Sequence, residues 1–344
     1  MATFMNAMTA HDYTMYPFST ENIQDYQHLM SVYLDSVFSP RLRKLDFVGF
    51  SSSYHQKLQE GWRLEHQNPL DSSTPIVFKG VVYNEMKGAF ADINSLFYYR
   101  FQQALFPGTS YDHVSGGDPS AIIGLSHSDL VAFHQKNYTP QRALFYMYGN
   151  SSLEQKLDMF EANMSHYQNM LQPQESIIHQ QDYASSPSAL DAIQYVTVSG
   201  PPDPVAGPMD QQNRLSVTFK TCSRHQTDEC LFLKVATSLL MDGAASPMHK
   251  ALIESRLGSE YSVNSGFDDS TPVATVSFGL QGIKSDHVDR VHETILNVLK
   301  KVVDEGIDPS KIQNVIHRME LGLKHVRHLS SIEAYYFSEL QTSD

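Results

Sequence analysis

The stretch Phe78-Lys79-Gly80-Val81-Val82-Tyr83-Asn84-Glu85-Met86-Lys87-Gly88 decides how the chain is read. Taken as a helix of period about 3.6 residues, it places Val81, Val82 and Glu85 on one face. That spacing predicts a carboxylate pointing where the valines point, towards the interior. A carboxylate there needs a partner: water and the positive end of the helix dipole, or a metal ion.

Outward from this helix, apolar spacing marks the other elements. Phe4 to Met8 and Tyr13 to Phe18 read as two strands joined tightly through Thr9-Ala10-His11-Asp12. Ile23, Tyr26, Leu29, Met30, Tyr33, Leu34 and Val37 recur at helical spacing, with Pro40 just beyond. Arg41 to Asn68 reads as irregular, with an exposed serine-rich loop at 48–55. A second helix carries Leu96, Phe97, Phe101, Ala104 and Leu105 and stops at Pro107-Gly108. Ser115 to Pro119 is a turn, since no Gly-Lys-Ser/Thr follows its glycines. Ser126 and Asp129 form a capping signal for the next helix. Ala143 to Tyr148 reads as a buried strand, and Leu153 to Met170 as a helix.

Residues 172–190, rich in Pro, Ser and Gln, read as a linker. Beyond it, Ile193 to Val198, Leu215 to Phe219 and Val273 to Leu280 are strand-like. Leu231 to Met241 and Ala251 to Leu257 read as helices. Val288, Val291, Ile295, Val298, Leu299 and Val302 form the clearest amphipathic stripe, and Pro309 opens a last helix. The two halves suggest a divergent repeat in which the first lacks its opening strand and helical pair.

Composition narrows function. The formal charge of −13 repels nucleic acid and anionic lipid and favours basic peptides, or simply keeps the chain soluble. No apolar run approaches the roughly 20 residues of a membrane span, and no targeting segment opens the chain. Cys222 and Cys230 cannot build a disulfide framework and read as buried free thiols. There is no G-x-S-x-G for a serine nucleophile.

The blocks Thr3-Phe4-Met5-Asn6-Ala7-Met8-Thr9, Asp12 to Phe18, Glu60-Gly61-Trp62-Arg63-Leu64-Glu65-His66, Gly80 to Gly88, Ser115 to Pro119, Ala251 to Ser255 and Gly279 to Ile283 resemble the presequence protease family. These are mitochondrial, pitrilysin-type zinc peptidases with an inverted motif. The resemblance runs through nearly the whole chain. It implies an α+β architecture of two pitrilysin-like (metallopeptidase LuxS/MPP-like) domains, each a mostly antiparallel sheet with packed helices. On this reading residues 1–171 are the first domain, truncated at its start; 172–191 are the linker; 192–344 are a second, non-catalytic domain, incomplete at its end.

In the family, zinc is held by two histidines of an H-x-x-E-H helix and a distant glutamate of an N-E-M-K-G segment, and Glu85 occupies that last position. No H-x-x-E-H occurs in this chain, and His317-Arg318-Met319-Glu320-Leu321 is read as a solvated helix face. His325 and His328 likewise read as polar surface. The general base and two ligands thus fall outside the chain, which is expected to be inactive alone, with tight zinc binding doubtful. The resemblance also makes 48–58 an insertion, and aligns Asn6 and Ala7 with the edge strand that pairs with substrate backbone. It implies zinc-dependent endoproteolysis of presequences and other short, unfolded, often basic peptides in the mitochondrial matrix, with the remaining half of the enzyme missing from this chain; charge and hydropathy add the expectation of no nucleic acid partner and no membrane insertion. The rival expectation is a non-catalytic short isoform that binds peptides by β-augmentation or pairs with a full-length copy.

Overall fold

A computed structural model describes residues 3–47, 61–170, 193–203 and 207–324. The inserted loop, the linker, and His325 and His328 lie outside these residues. The described residues form two compact units. One holds those of Met1–Asp92 and Gly108–His179, the other those of Ile93–Pro107 and Gln180–His328.

The first unit opens with a hairpin in two paired pieces. Strand β1 (Phe4–Met5) pairs antiparallel with β4 (Phe18–Ser19), and β2 (Met8–Thr9) with β3 (Thr14–Met15). The interruption falls at Asn6-Ala7, opposite Pro17, which has no N–H to give a ladder. Helix α1 (Ile23–Phe38) starts at Asn22, whose side chain accepts from the N–H groups of Gln24 at 2.8 Å and Asp25 at 3.2 Å. Its residues Met30, Leu34 and Phe38, four apart, are buried against Met159 and Tyr167. A short α2 (Lys44–Phe47) precedes the antiparallel pair β5 (Arg63–His66) and β6 (Ile76–Lys79), and α3 (Val81–Ala91) follows. Reading Arg41 to Asn68 as wholly irregular missed β5, and Phe78-Lys79 end a strand rather than begin a helix.

Helix α4 (Ile93–Leu105) packs in the second unit. Back in the first unit come α5 (Pro119–Ile122), α6 (His127–Asn137) and α7 (Leu153–Met164), the last continued by a 3-10 stretch, Ser165–Met170. The capping box foreseen at Ser126 and Asp129 is present, and Ser152 with Gln155 makes another. Residues 143–148 form no strand: Leu144 is 86% and Tyr148 77% exposed, and no partner strand lies beside them among the described residues. The same correction applies to 193–198, where Ile193 and Tyr195 are exposed. An apolar run makes a strand only where another edge satisfies its backbone.

The second unit is built on two eleven-residue strands, β7 (Asn213–Ser223) and β10 (Val273–Ile283), paired antiparallel, with the short β8 (Glu260–Tyr261) and β9 (Gly266–Asp268) also on β10. Helix α8 (Thr227–Met241) and a π-helical turn, His249–Glu254, lie between β7 and β8 in sequence; α9 (Val288–Glu305) and α10 (Pro309–Lys324) end the unit. Ala274, Val276, Phe278 and Leu280 alternate with Thr275, Ser277 and Gln281, and all are buried. Val276, Phe278 and Leu280 join Leu240, Met248, Leu252, Val291 and Ile295 in one core, while on the polar side Ser277 bonds to Thr218 at 2.9 Å and Gln281 Nε2 donates to Glu260 at 2.6 Å. A register shift between Gln281 and Ile283, with Gly282 at φ +71°, returns Ile283 to the apolar face.

Helix α4 is tied to β7 by Arg214, which donates to Asn94 Oδ1 at 2.6 Å and lies 5.7 Å from the Phe97 ring centroid, and by Lys220 over Phe106 at 5.0 Å. Burial lowers the Lys220 pKa, and the ring beneath the ammonium is its compensation. The His317 and Glu320 side chains are exposed, as a solvated face requires. Among the described residues no helix is long and apolar enough to cross a membrane.

Ile295 is fully buried in the core and Val303 is 82% exposed. Ile295→Ala in the full chain should cost about 2–5 kcal/mol and Val303→Ala less than about 0.5 kcal/mol, as read by hydrogen exchange of β10 amides; equal losses would refute this placement of the core.

Candidate functional site

Glu85 is placed by the junction of β6 with α3. Gly80 sits between them at φ +147°, and a Cβ there would lie 2.2 Å from the Gly61 carbonyl oxygen and 2.8 Å from Trp62 Cα. Glycine is what allows the two backbones to meet. The contact also caps the helix. Gly80 has no side chain to offer, and the Tyr83 N–H donates instead to the Gly61 carbonyl at 3.2 Å. Trp62 packs edge-on against Phe78 at 5.5 Å, Phe78 lies 5.9 Å from Tyr83, and the Lys87 ammonium is 5.6 Å above the Tyr83 ring.

These anchors set the rotation of α3. Met86 is buried, in reach of Gly117, whose own Cβ would come 3.1 Å from the methionine methyl. Tyr83 and Phe90, three residues before and four after Met86, are half-buried on the same side. Val81, Val82 and Glu85 do share a face, but it is the solvent face: Val81 is 65% and Val82 40% exposed, and Glu85 is exposed beside them. The expectation of an inward carboxylate is thereby overturned. Two valines are outweighed by an aromatic cluster and a methionine, which bury more apolar surface per residue.

The turn at Ser115 to Pro119 is present, closed by the Gly117 N–H donating to the Val114 carbonyl at 2.9 Å, and it positions the surface that receives Met86. The N-terminal hairpin is pinned nearby in sequence: the Tyr111 hydroxyl donates to Asp12 at 2.7 Å, and His11 Nδ1 lies 2.9 Å from the His113 carbonyl. Tyr16 and Tyr138 meet through their hydroxyls at 3.0 Å; burial first, then Tyr138, pushes the Tyr16 pKa upward.

Asn6 and Ala7 are exposed, in the interruption between β1 and β2 rather than within a continuous strand. The Asn6 N–H donates to the Pro17 carbonyl at 3.1 Å, and the Asn6 side chain accepts from the Ala7 N–H at 2.8 Å. Asn6 and Ala7 share the first unit with Glu85 but sit on a different element. Sequence reasoning missed Gly61 and Gly80 as the positioning pair. A glycine between the β-prone Ile76-Val77-Phe78 and a helix was the available signal.

As a metal site the described residues are incomplete. They contain no group of three or more His, Cys, Asp or Glu side chains able to hold an ion, so Glu85 is a single donor and no catalytic step follows from these residues.

Comparison with known proteins gives a consistent picture. A family model described as the peptidase M16 inactive domain matches residues 124–319. A mitochondrial presequence protease of Danio rerio is 41% identical over 325 residues, covering 94% of this chain and 30% of that protein. One of Mus musculus is 41% identical over 326 residues, again covering 94% and 30%. The chain therefore spans about a third of the length of these curated relatives. A protease from Helicobacter pylori of known structure superposes with a TM-score of 0.65 at 16% identity, covering 99% of this chain and 73% of that one, a likeness of fold.

Gly80→Ala should displace α3, because both the positive φ and the Gly61 carbonyl forbid a Cβ. The expected result is faster amide exchange at Tyr83 and Met86; protection equal to that of the parent chain would show that the junction tolerates a side chain.

Proposed function

The chain belongs to the M16 peptidase family, and from that premise we propose that it is part of a zinc metalloendopeptidase that degrades presequences and other short, unstructured peptides. The observation that carries this reading is Glu85 itself. It is a solvent-facing carboxylate on a helix fixed by the Gly80 junction, at the position where the resemblance puts a zinc ligand. An exposed carboxylate is open to histidines supplied from elsewhere. The acidic balance, −13 over the chain, suits basic peptides. The name of the relatives supports a mitochondrial location, and the resemblance the matrix.

In this reading 1–171 and 192–344 are two domains joined by 172–191, and the first carries Glu85. Asn6 and Ala7 lie along the path of the substrate backbone. Glu85 would be one ligand of the ion, and zinc, when bound, would supply water activation. No H-x-x-E-H occurs in these 344 residues. The chain alone therefore lacks the general base and holds zinc weakly.

The test joins this chain to a segment bearing an H-x-x-E-H helix and measures zinc content and hydrolysis of a basic presequence-like peptide. The isolated chain should do neither. In the joined protein Glu85→Gln should lower zinc affinity by more than the roughly 10–100-fold that outer-shell partners cost, and abolish cleavage. Hydrolysis by the isolated chain that survives Glu85→Gln would overturn the proposal.

A further inference from the structure

The two cysteines stand on separate elements and meet. Cys222 is the penultimate residue of β7, and Cys230 lies near the start of α8. Their sulfurs are 3.6 Å apart. Cys230 is buried, 7% exposed, and its thiol points towards the carbonyls of Ser223 at 3.7 Å and Arg224 at 3.8 Å. Cys222 is half-buried and accessible. The intervening turn is held by Gln226, whose side chain accepts from the Ser223 N–H at 3.0 Å while its N–H donates to the Ser223 carbonyl at 2.9 Å.

We propose that Cys222 and Cys230 form a dithiol site that small disulfides such as oxidised glutathione convert to an intramolecular disulfide. This inference is independent of the peptidase reading. A covalent S–S bond is about 2.05 Å, so the sulfurs need approach by only ~1.5 Å, and they already face each other across a turn fixed by hydrogen bonds.

Access and acidity order the steps. Burial, then the hydrogen bond and charge of Cys222, then Asp269 and Glu229, push the Cys230 thiol up to about 12. Cys222 is therefore the entry nucleophile. Its thiolate attacks one sulfur of the small disulfide, a protein–glutathione S–S bond forms, and one glutathione thiolate leaves with the electron pair of the broken bond. Cys230 then gives its proton to a thiolate or solvent and attacks Cys222 Sγ. The second glutathione leaves as a thiol. The protein dithiol is oxidised by two electrons, and the small disulfide is reduced to two thiols.

Trypsin provides the readout, because Lys220, Arg224 and Lys234 flank the two cysteines. After treatment of the full chain with oxidised glutathione, the digest should contain Thr221–Arg224 joined to His225–Lys234, a pair that separates on reduction. Closure in the folded chain should exceed that of the urea-unfolded chain by on the order of tenfold, because the pair is prealigned. Cys230→Ser should stop at glutathione on Cys222, and Cys222→Ser should leave Cys230 unmodified. Closure no faster folded than unfolded, glutathione retained on Cys222 in the wild type, or modification of Cys230 in Cys222→Ser would each overturn the proposal. The wild-type comparison stands whether or not the variants fold.

Discussion

Two backbones can touch only where no Cβ intervenes, and the candidate site depends on that constraint at Gly80. The carbonyl of Gly61 occupies the space of the missing side chain and accepts the Tyr83 N–H, so one contact closes the β5–β6 pair and starts α3. The rotation of α3 follows from what it finds underneath. Tyr83 stands against Phe78, Met86 against Gly117, and Glu85 is turned outward as a consequence. A carboxylate proposed to serve a metal from a surface helix needs a helix that cannot roll. Here a backbone contact at one end and a buried methionine in the middle oppose rolling.

Much of the fold could be read from residue spacing, and the failures share a cause. The long amphipathic helix α9 was legible because Val291 and Ile295 repeat at a period that only a helix brings to one face, and both are fully buried. The capping box at Ser126 was legible because its bonds are local. Segments 143–148 and 193–198 misled because an apolar run records affinity for an interior but not the presence of a neighbouring strand. The weak alternation of Arg63 to His66 concealed a strand whose stability comes from β6.

Glu85 enters the candidate site only through the resemblance of its segment to a known family, and its orientation was not legible in the sequence. Period analysis put it with Val81 and Val82 correctly, then assumed that valines face inward. The larger aromatic and sulfur side chains on the opposite face decide the matter, and their partners Trp62, Phe78 and Gly117 are remote or structurally ambiguous in sequence. Asn6 and Ala7 were found as a pair, but the proline opposite them, Pro17, turns a predicted strand into two short ones.

The placement of α4 carries a consequence for biosynthesis. Asn94 and Arg214 are 120 residues apart, so the helix leaves the ribosome long before the arginine that holds it. At about 5–20 residues per second the interval is roughly 6–24 s, during which Phe97 and Phe106 have neither cation above them. The second unit is thus a vectorially delayed fold: its first helix is made early and waits while Gly108–His179, which belong to the other unit, are synthesised.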